Sequence, residues 1–258
     1  MATGNAYAEP DPGTSDAVIA IDLKTGEPAW VNQLLPDVWI GGCNEEENPN
    51  CPDDIGPDFD FSASPILTST PSGRELLVVP QKSGLIYALD PNNQGKVVWQ
   101  YRAGPGSPVG GVWGSAVGDG LAYAAVGGYI FTEGGGIHAV DLETGEQSWY
   151  TPPQDLLCAE GPGCSATQSA AVTAIPGAVF SGSADGGMRV YSAESGDVLW
   201  VFNANRSFDT INGVEASGAS FDGPGPVIAG GMMYMLSGSA GFVGRPGNVL
   251  LAFAIQEE

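Results

Sequence analysis

With 258 residues, 43% of them hydrophobic, and 39 glycines and 20 prolines in short, evenly spread clusters, the chain is long enough to bury a core and reads as many short strands joined by turns, not as disorder. Eight basic against 30 acidic residues, a formal net charge of −22, make nucleic acid and anionic membrane surfaces poor partners, because phosphate backbones demand Lys and Arg. No apolar run reaches the roughly 18 residues that a spanning helix needs.

In chain order, the first stretch, MATGNAYAEPDPGTSD, lacks the positive region and apolar core of a signal peptide, so export is not encoded in it. The segment VIAIDLKTGEPAW, ending at Trp30, then reads as an apolar strand, a turn and a second strand that begins with tryptophan. The turn chemistry is explicit: Asp22 can accept backbone N–H bonds across the turn and Gly26 supplies the φ > 0 position. Residues 40–62 interrupt the pattern with a Cys/Asp-rich insert that holds Cys43, Cys51 and the run CPDDIGPDFDF.

The strand–turn–strand unit then returns as LIYALDPNNQGKVVW (to Trp99), IHAVDLETGEQSW (to Trp149) and MRVYSAESGDVLW (to Trp200), with Asp90, Asp141 and Ser192 at the turn's acceptor position and Gly95, Gly145 and Gly196 at its glycine. Further hairpins such as GLAYAAV and GAVFSGSADGG bring each unit to about four strands. Trp99, Trp149 and Trp200 lie 50 and 51 residues apart, close to the ~40–50 residue period of a propeller blade. Trp30 to Trp99 is longer by the insert, and an insertion between blade strands lands at an end of the propeller, where loops line the central site. The expected fold is all-β, a β-propeller of four-stranded antiparallel blades occupying residues 1–258. The four units plus the last strand, NVLLAFAI, make about four blades, a partial propeller. The tryptophans are read as docking blade on blade.

Four cysteines fall as two close pairs, Cys43 with Cys51 and Cys158 with Cys164. Neither is CxxC, and the even count in polar loops favours two local disulfides and an oxidising compartment over free thiols. His138, the sole histidine, sits in the apolar stretch GIHAVDL and is expected to pack on a strand; one histidine cannot build a multi-histidine metal site. GGYIFTEGGGI lacks the lysine–serine ending of a phosphate loop.

The motif Ala-x-Asp-x-x-Thr-Gly-x-x-x-Trp at Ala20 to Trp30 and at Ala139 to Trp149 resembles the tryptophan-docking motif of quinoprotein propellers, the dehydrogenases that use pyrroloquinoline quinone (PQQ). ATGNAY, GPDFDFSASPIL, QKSGLIYALDP, SAAVTAIPGAVFSGSADG and DGPGPVIAGGMMYMLSG look most like the polyvinyl-alcohol dehydrogenase branch. The resemblance implies a PQQ- and calcium-dependent oxidation of a secondary or polymeric alcohol by hydride transfer to the quinone. It implies Asp60 as the catalytic aspartate, Asn5 and Asp60 as calcium ligands, and Lys82 as the residue that hydrogen-bonds the quinone oxygens. Trp113 falls near a cofactor-contacting Asn-Trp pair of the family, although Val112 replaces the asparagine. Lanthanide-using relatives carry a second acid two positions after the catalytic aspartate; Ser62 stands there and points to calcium. Asp53, Asp54 and Asp58 match no family role and read as solvated loop acids, whereas Asp60 is flanked by Phe59 and Phe61, rings that lower the local dielectric.

The family's propellers close with seven or eight blades, and its upstream calcium glutamate, vicinal-cysteine ring and PQQ-stacking tryptophan have no counterpart in these residues. The sequence is therefore expected to correspond to the C-terminal half of such an enzyme and to need missing N-terminal blades, or a second chain, to complete the ring. A periplasmic setting follows from the resemblance and the paired cysteines. Without a haem motif, electrons are expected to pass to a cytochrome c. The alternative reading is a non-catalytic propeller scaffold like the outer-membrane assembly lipoproteins, which share the docking repeat.

Overall fold

The computed structural model describes residues 1–43, 51–107, 110–111, 113–128, 134–238 and 244–255. Residues 44–50 of the insert, and Val112, lie outside these. Among the described residues every regular element is a strand. The first sheet pairs β1 (Ala17–Ile21) with β2 (Pro28–Gln33). Three four-stranded antiparallel sheets follow. The first of them runs β3 (Ile66–Ser69), β4 (Glu75–Pro80), β5 (Leu85–Asp90) and β6 (Lys96–Arg102). The next holds β7 (Ala116–Gly118), β8 (Leu121–Ala125), β9 (Ile137–Asp141) and β10 (Gln147–Thr151). The last holds β11 (Thr173–Ile175), β12 (Ala178–Gly182), β13 (Gly187–Ser192) and β14 (Val198–Asn203). A short ribbon of β15 (Ser207–Phe208) and β16 (Ala216–Ser217) precedes a three-stranded sheet of β17 (Val227–Ala229), β18 (Met232–Ser237) and β19 (Val249–Ala254). Strand order is sequential in every sheet, the up-and-down meander of propeller blades.

The repeat thus yields three complete blades flanked by a two-stranded and a three-stranded sheet. One detail differs from the sequence pattern: β5, β9 and β13 bury residues on both faces and do not alternate in and out. Successive sheets stack, so an inner strand has a neighbour above and below. Four apolar clusters fill the four interfaces, from Val18, Phe61, Val79 and Tyr87 between the first two sheets to Met188, Phe221, Met235 and Leu251 between the last two.

The turns behave as their chemistry requires. Asp22 Oδ1 accepts the Lys24 and Thr25 amides at 2.7 and 3.1 Å, and Asp141 Oδ1 accepts those of Glu143 and Thr144 at 2.9 Å each. Ser192 Oγ substitutes with one bond, from the Ser195 amide at 3.2 Å. Each repeat tryptophan sits two or three residues inside its strand, not at its first position; Trp30, Trp99 and Trp149 dock on the next sheet's turn, whereas Trp200 packs on Phe202 and Phe253. The indole N–H of Trp30 donates to Pro91 O (3.2 Å), that of Trp99 to Leu142 O (3.0 Å) and that of Trp149 to Ala193 O (2.9 Å). Gly95, Gly145 and Gly196, all at positive φ, sit so close to these indoles that no β-carbon would fit.

His138 packs as expected. It is buried, stacks on Tyr150 with ring centroids 4.2 Å apart, and meets the Tyr101 hydroxyl at 2.9 Å. Burial pushes its pKa down to about 4, so it is neutral at physiological pH.

Candidate functional site

The β4–β5 turn, Gln81 to Gly84, presents Lys82 at the edge of the second sheet. Its backbone is pinned from both sides: the Lys82 amide donates to Asp60 O at 3.1 Å and its carbonyl accepts the Ser107 amide at 2.8 Å. The C-terminal part of the insert therefore runs directly beside Lys82. The Phe61 amide reaches Thr3 O at 3.4 Å and the Asp16 amide reaches Gly4 O at 3.0 Å, which brings the ATGN segment to the same place.

Three side chains singled out from the sequence converge there. Lys82 Nζ lies 2.6 Å from Asp60 Oδ1, and all three residues are largely buried. Asn5 joins through Asp58: Asn5 Nδ2 donates to Asp58 Oδ1 at 2.7 Å, and Lys82 Nζ reaches the same oxygen at 2.9 Å. Asp58 is thus no solvated loop acid. It is 5% exposed and adopts φ of +63°, a conformation non-glycine residues rarely hold without surrounding constraint. Asp53 and Asp54 are exposed, as read from the sequence. Spacing carried no usable signal for Asp58, because positions two apart share a face only in extended backbone and the left-handed φ of Asp58 breaks that alternation.

Behind this group stand two acids that the sequence does not single out. Asp37 Oδ2 accepts the Phe59 amide at 3.1 Å, and Asp16 Oδ2 accepts the Asp37 amide at 3.1 Å, so Asp16 braces Asp37 and Asp37 braces the Asp58–Asp60 turn. Asp16 is fully buried. Burial, reinforced by the charges of Asp37, Asp60 and Asp11, pushes its pKa up to about 7 against the opposing Asp37 N–H bond. Asp37 is shifted the same way, burial first and then Asp58 and Asp60. For Lys82, burial acts to lower the pKa, but the hydrogen bonds and charges of Asp60 and Asp58 outweigh it and the ammonium form is held more tightly than usual.

Four carboxyl groups therefore share one ammonium among the described residues of this cluster. Among the described residues Asn5 Oδ1 is buried without a hydrogen-bond partner, as are Asp16 Oδ1 and Asp37 Oδ1. Asp60 Oδ2 lies against Gly4, where a β-carbon would come within 3.0 Å of it. An unpaired amide oxygen beside a carboxylate suits a hard, oxygen-seeking cation. Among the described residues no group of three or more His, Cys, Asp and Glu side chains is arranged as a metal cage, so Asn5 and Asp60 could supply only part of a calcium shell. Ser62 Oγ donates to Asp60 Oδ1 at 3.3 Å.

Trp113 points elsewhere. Half-exposed, it donates its indole N–H to Asp222 Oδ1 at 3.0 Å, the oxygen that also takes the Ser169 hydroxyl at 2.7 Å. Both cysteine pairs are bonded, Cys43 to Cys51 and Cys158 to Cys164, which fits an oxidising compartment. No helix among the described residues is long and apolar enough to cross a membrane.

A family model, PQQ_2, described as outer membrane protein assembly factor BamB, matches residues 82–245. A polyvinylalcohol dehydrogenase of Pseudomonas sp is 42% identical over 99% of this chain and 42% of its own length. A second polyvinylalcohol dehydrogenase, from Sphingopyxis sp. (strain 113P3), is 39% identical over the same shares. The chain thus spans about two-fifths of the curated relatives it matches. Among solved structures, BamB from Moraxella catarrhalis superposes with a TM-score of 0.54 at 16% identity, over 93% of this chain and 58% of that one. A europium-containing methanol dehydrogenase gives 0.55 at 16% identity, over 87% and 48%. These structural likenesses bear on the fold alone, and both support a β-propeller.

Proposed function

The chain belongs to the PQQ_2 family of propeller repeats, and from that premise we propose that it is the quinone-binding part of a PQQ- and calcium-dependent dehydrogenase acting on a secondary or polymeric alcohol. The observation that carries the reading is the buried Asn5–Asp58–Asp60–Lys82 group, with its excess of carboxylate over ammonium and its unpartnered Asn5 Oδ1. Identity to the two polyvinylalcohol dehydrogenases over nearly the whole chain supports the same chemistry.

Bound PQQ would supply a hydride acceptor and calcium a Lewis acid on its oxygen. The chain's own residues divide the remaining tasks. Asn5 Oδ1 and Asp60 would hold the cation. Asp60 Oδ2, the oxygen that Lys82 does not hold, takes the proton of the substrate hydroxyl. Gly4, lacking a β-carbon, leaves room beside that oxygen. Lys82 Nζ would offer positive charge to a quinone oxygen that gains negative charge on reduction. Asp58 fixes Lys82 and Asn5 in one frame. A reduced quinone would need a separate electron carrier such as a cytochrome c, and the two disulfides suit the periplasm.

Calorimetric titration of the chain with PQQ and Ca²⁺ tests the reading. Lys82→Met should weaken PQQ binding by about 1.5–3 kcal/mol, the worth of a hydrogen bond to a charged group. Equal affinity in wild type and variant, or no binding to either, would overturn it. The second reading, a non-catalytic scaffold, is favoured by the description of the family model; it requires no quinone affinity and no effect of Lys82→Met on association with other proteins.

A further inference from the structure

Four sequential antiparallel strands return the chain to the end of the sheet where it entered, so the turns between second and third strands share one end with the connectors between sheets. Lys82 lies in such a turn, and residues 204–226 form the connector from β14 to β17. Bonds along that end link the two. The Ser107 amide donates to Lys82 O at 2.8 Å, the Trp113 indole to Asp222 Oδ1 at 3.0 Å and the Phe221 amide to Ser183 O at 3.0 Å. The β15–β16 ribbon stands on this connector, and beside it opens a cleft of about 660 Å³, within the ~300–1,000 Å³ of small-molecule sites.

The chain itself holds the cleft in shape. Ser207 pairs with Ser217 and Phe208 with Ala216, and the Thr210 hydroxyl reaches Val214 O at 2.6 Å. Asn248, just before β19, accepts the Ser217 amide on Oδ1 at 2.9 Å and donates from Nδ2 to Glu215 O at 3.2 Å. Gly218 leaves the room that Phe208 occupies, since a β-carbon there would come within 2.9 Å of the ring, and the Arg206 guanidinium lies 4.9 Å from the ring centroid. The lining joins the Phe208 ring and the Val214 side chain to the carboxylates of Asp209 and Glu215 and the hydroxyls of Ser207 and Ser217, without a basic side chain. Two exposed acids with no facing cation exclude phosphates and other anions. Acceptors and donors beside an aromatic ring match a neutral chain in which hydroxyl groups alternate with apolar carbon.

We propose that this cleft is a binding site for a neutral polyhydroxylated chain, a stretch of polymeric alcohol remote from the unit that reacts at Asp60. The hydroxylated chemistry rests on the cleft alone; naming the chain as substrate rests on the polymeric-alcohol reading above. Asp209 and Glu215 accept hydrogen bonds from the chain's hydroxyls, Ser207 and Ser217 donate to them, and the carbon segments lie on Phe208 and Val214. Holding the polymer here raises the local concentration of its other units at the same end of the sheets, where Lys82 and Asp60 stand.

The test is amide-resolved NMR of the ¹⁵N-labelled chain titrated with a poly(vinyl alcohol) oligomer, in the absence of PQQ and Ca²⁺. Saturable shifts confined to residues 207–217 and Asn248 are expected. Poly(ethylene glycol) of equal length, which has ether oxygens in place of hydroxyls, should bind at least about tenfold more weakly, the loss of one or more hydrogen bonds to charged groups. Asp209→Ala/Glu215→Ala should weaken the oligomer by a similar factor, whereas Asp53→Ala/Asp54→Ala, an equal change of charge at exposed acids of the insert, should not. Phe208→Ala should abolish binding; because that ring also packs on the last interface, the acid variants decide the matter if the hairpin resonances are lost. Absence of shifts, equal affinity for poly(ethylene glycol), or equal weakening by both acid pairs would overturn the proposal. Tighter binding of a dextran oligomer than of poly(vinyl alcohol) would overturn the assigned source in favour of a polysaccharide. Since quinone and metal are absent, a failed PQQ titration leaves this result readable, and a failed polymer titration leaves the quinone reading intact.

Discussion

Two blades carry a buried ion pair at the same structural place, the turn between second and third strands, and they differ in how the charge is closed. In the fourth sheet the turn is Ser183–Gly186. Asp185, fully buried, holds Arg189 with Oδ2 at 2.7 Å from Nη2 and also accepts the Gly187 amide at 2.8 Å and the Leu157 amide at 3.2 Å. One acid faces one base, and both carboxylate oxygens are used. Burial acts to raise the Asp185 pKa, but the Arg189 hydrogen bonds and charge win and hold it below the usual range. In the second sheet the turn is Gln81–Gly84, and Lys82 faces Asp58 and Asp60 with Asp37 and Asp16 behind them. A closed pair stabilises one conformation. An open one leaves acceptors without a hydrogen-bond partner among the described residues.

The largest expected effect is on the closed pair. Arg189→Met leaves Asp185 buried and uncompensated, which should cost about 3–5 kcal/mol in urea unfolding, while Arg189→Met with Asp185→Leu should recover most of that loss. Neither change should alter PQQ affinity; a parallel loss of binding would break the distinction between the two clusters.

The pH response should separate them next. Asp16 has a folded pKa of about 7 against an ordinary value near 3.8. Between those values the native state binds more protons than the unfolded one, so stability falls as pH rises from about 4 to about 7. Asp185 is shifted the opposite way, so its contribution is present above the unfolded carboxylate value and is lost as pH falls through its lowered folded one. Asp16→Asn should therefore flatten the neutral limb of a stability–pH curve by on the order of 2–4 kcal/mol, at 1.36 kcal/mol per pKa unit. Asp185→Asn should lower stability across the neutral range and alter the slope of the curve on the acid limb only. A neutral limb unchanged in Asp16→Asn would remove the open cluster's electrostatic signature.

The disulfides give the smallest and most local comparison. The Cys158–Cys164 loop sits over the closed pair, since the Leu157 amide and Asp155 carbonyl bond Asp185 and Arg189. The Cys43–Cys51 bridge lies in the insert that leads to Asp58 and Asp60. Both loops are short, with sequence separations of 6 and 8, so removing either bridge should cost only about 2–3 kcal/mol. Cys43→Ser/Cys51→Ser should also lower PQQ affinity, and Cys158→Ser/Cys164→Ser should not. Equal effects on affinity would place neither loop at the site.

What the sequence by itself determined was everything set by local rules. The repeated Asp-x-x-Thr-Gly turns, the tryptophan spacing and the paired cysteines depend on residues a few positions apart, and the structure contains the strands, turns and bridges they specify. The resemblance carried Asn5, Asp60 and Lys82 as a set, and the fold brings those three together. Tertiary structure alone decided the rest. Asp58 became a partner of Lys82, and Asp16 and Asp37 its backing, because segments 53 and 24 residues away from Asp58 meet there, and burial rather than sequence context fixes whether a carboxyl group is solvated, paired or protonated. Trp113 faces Asp222, 109 residues along the chain.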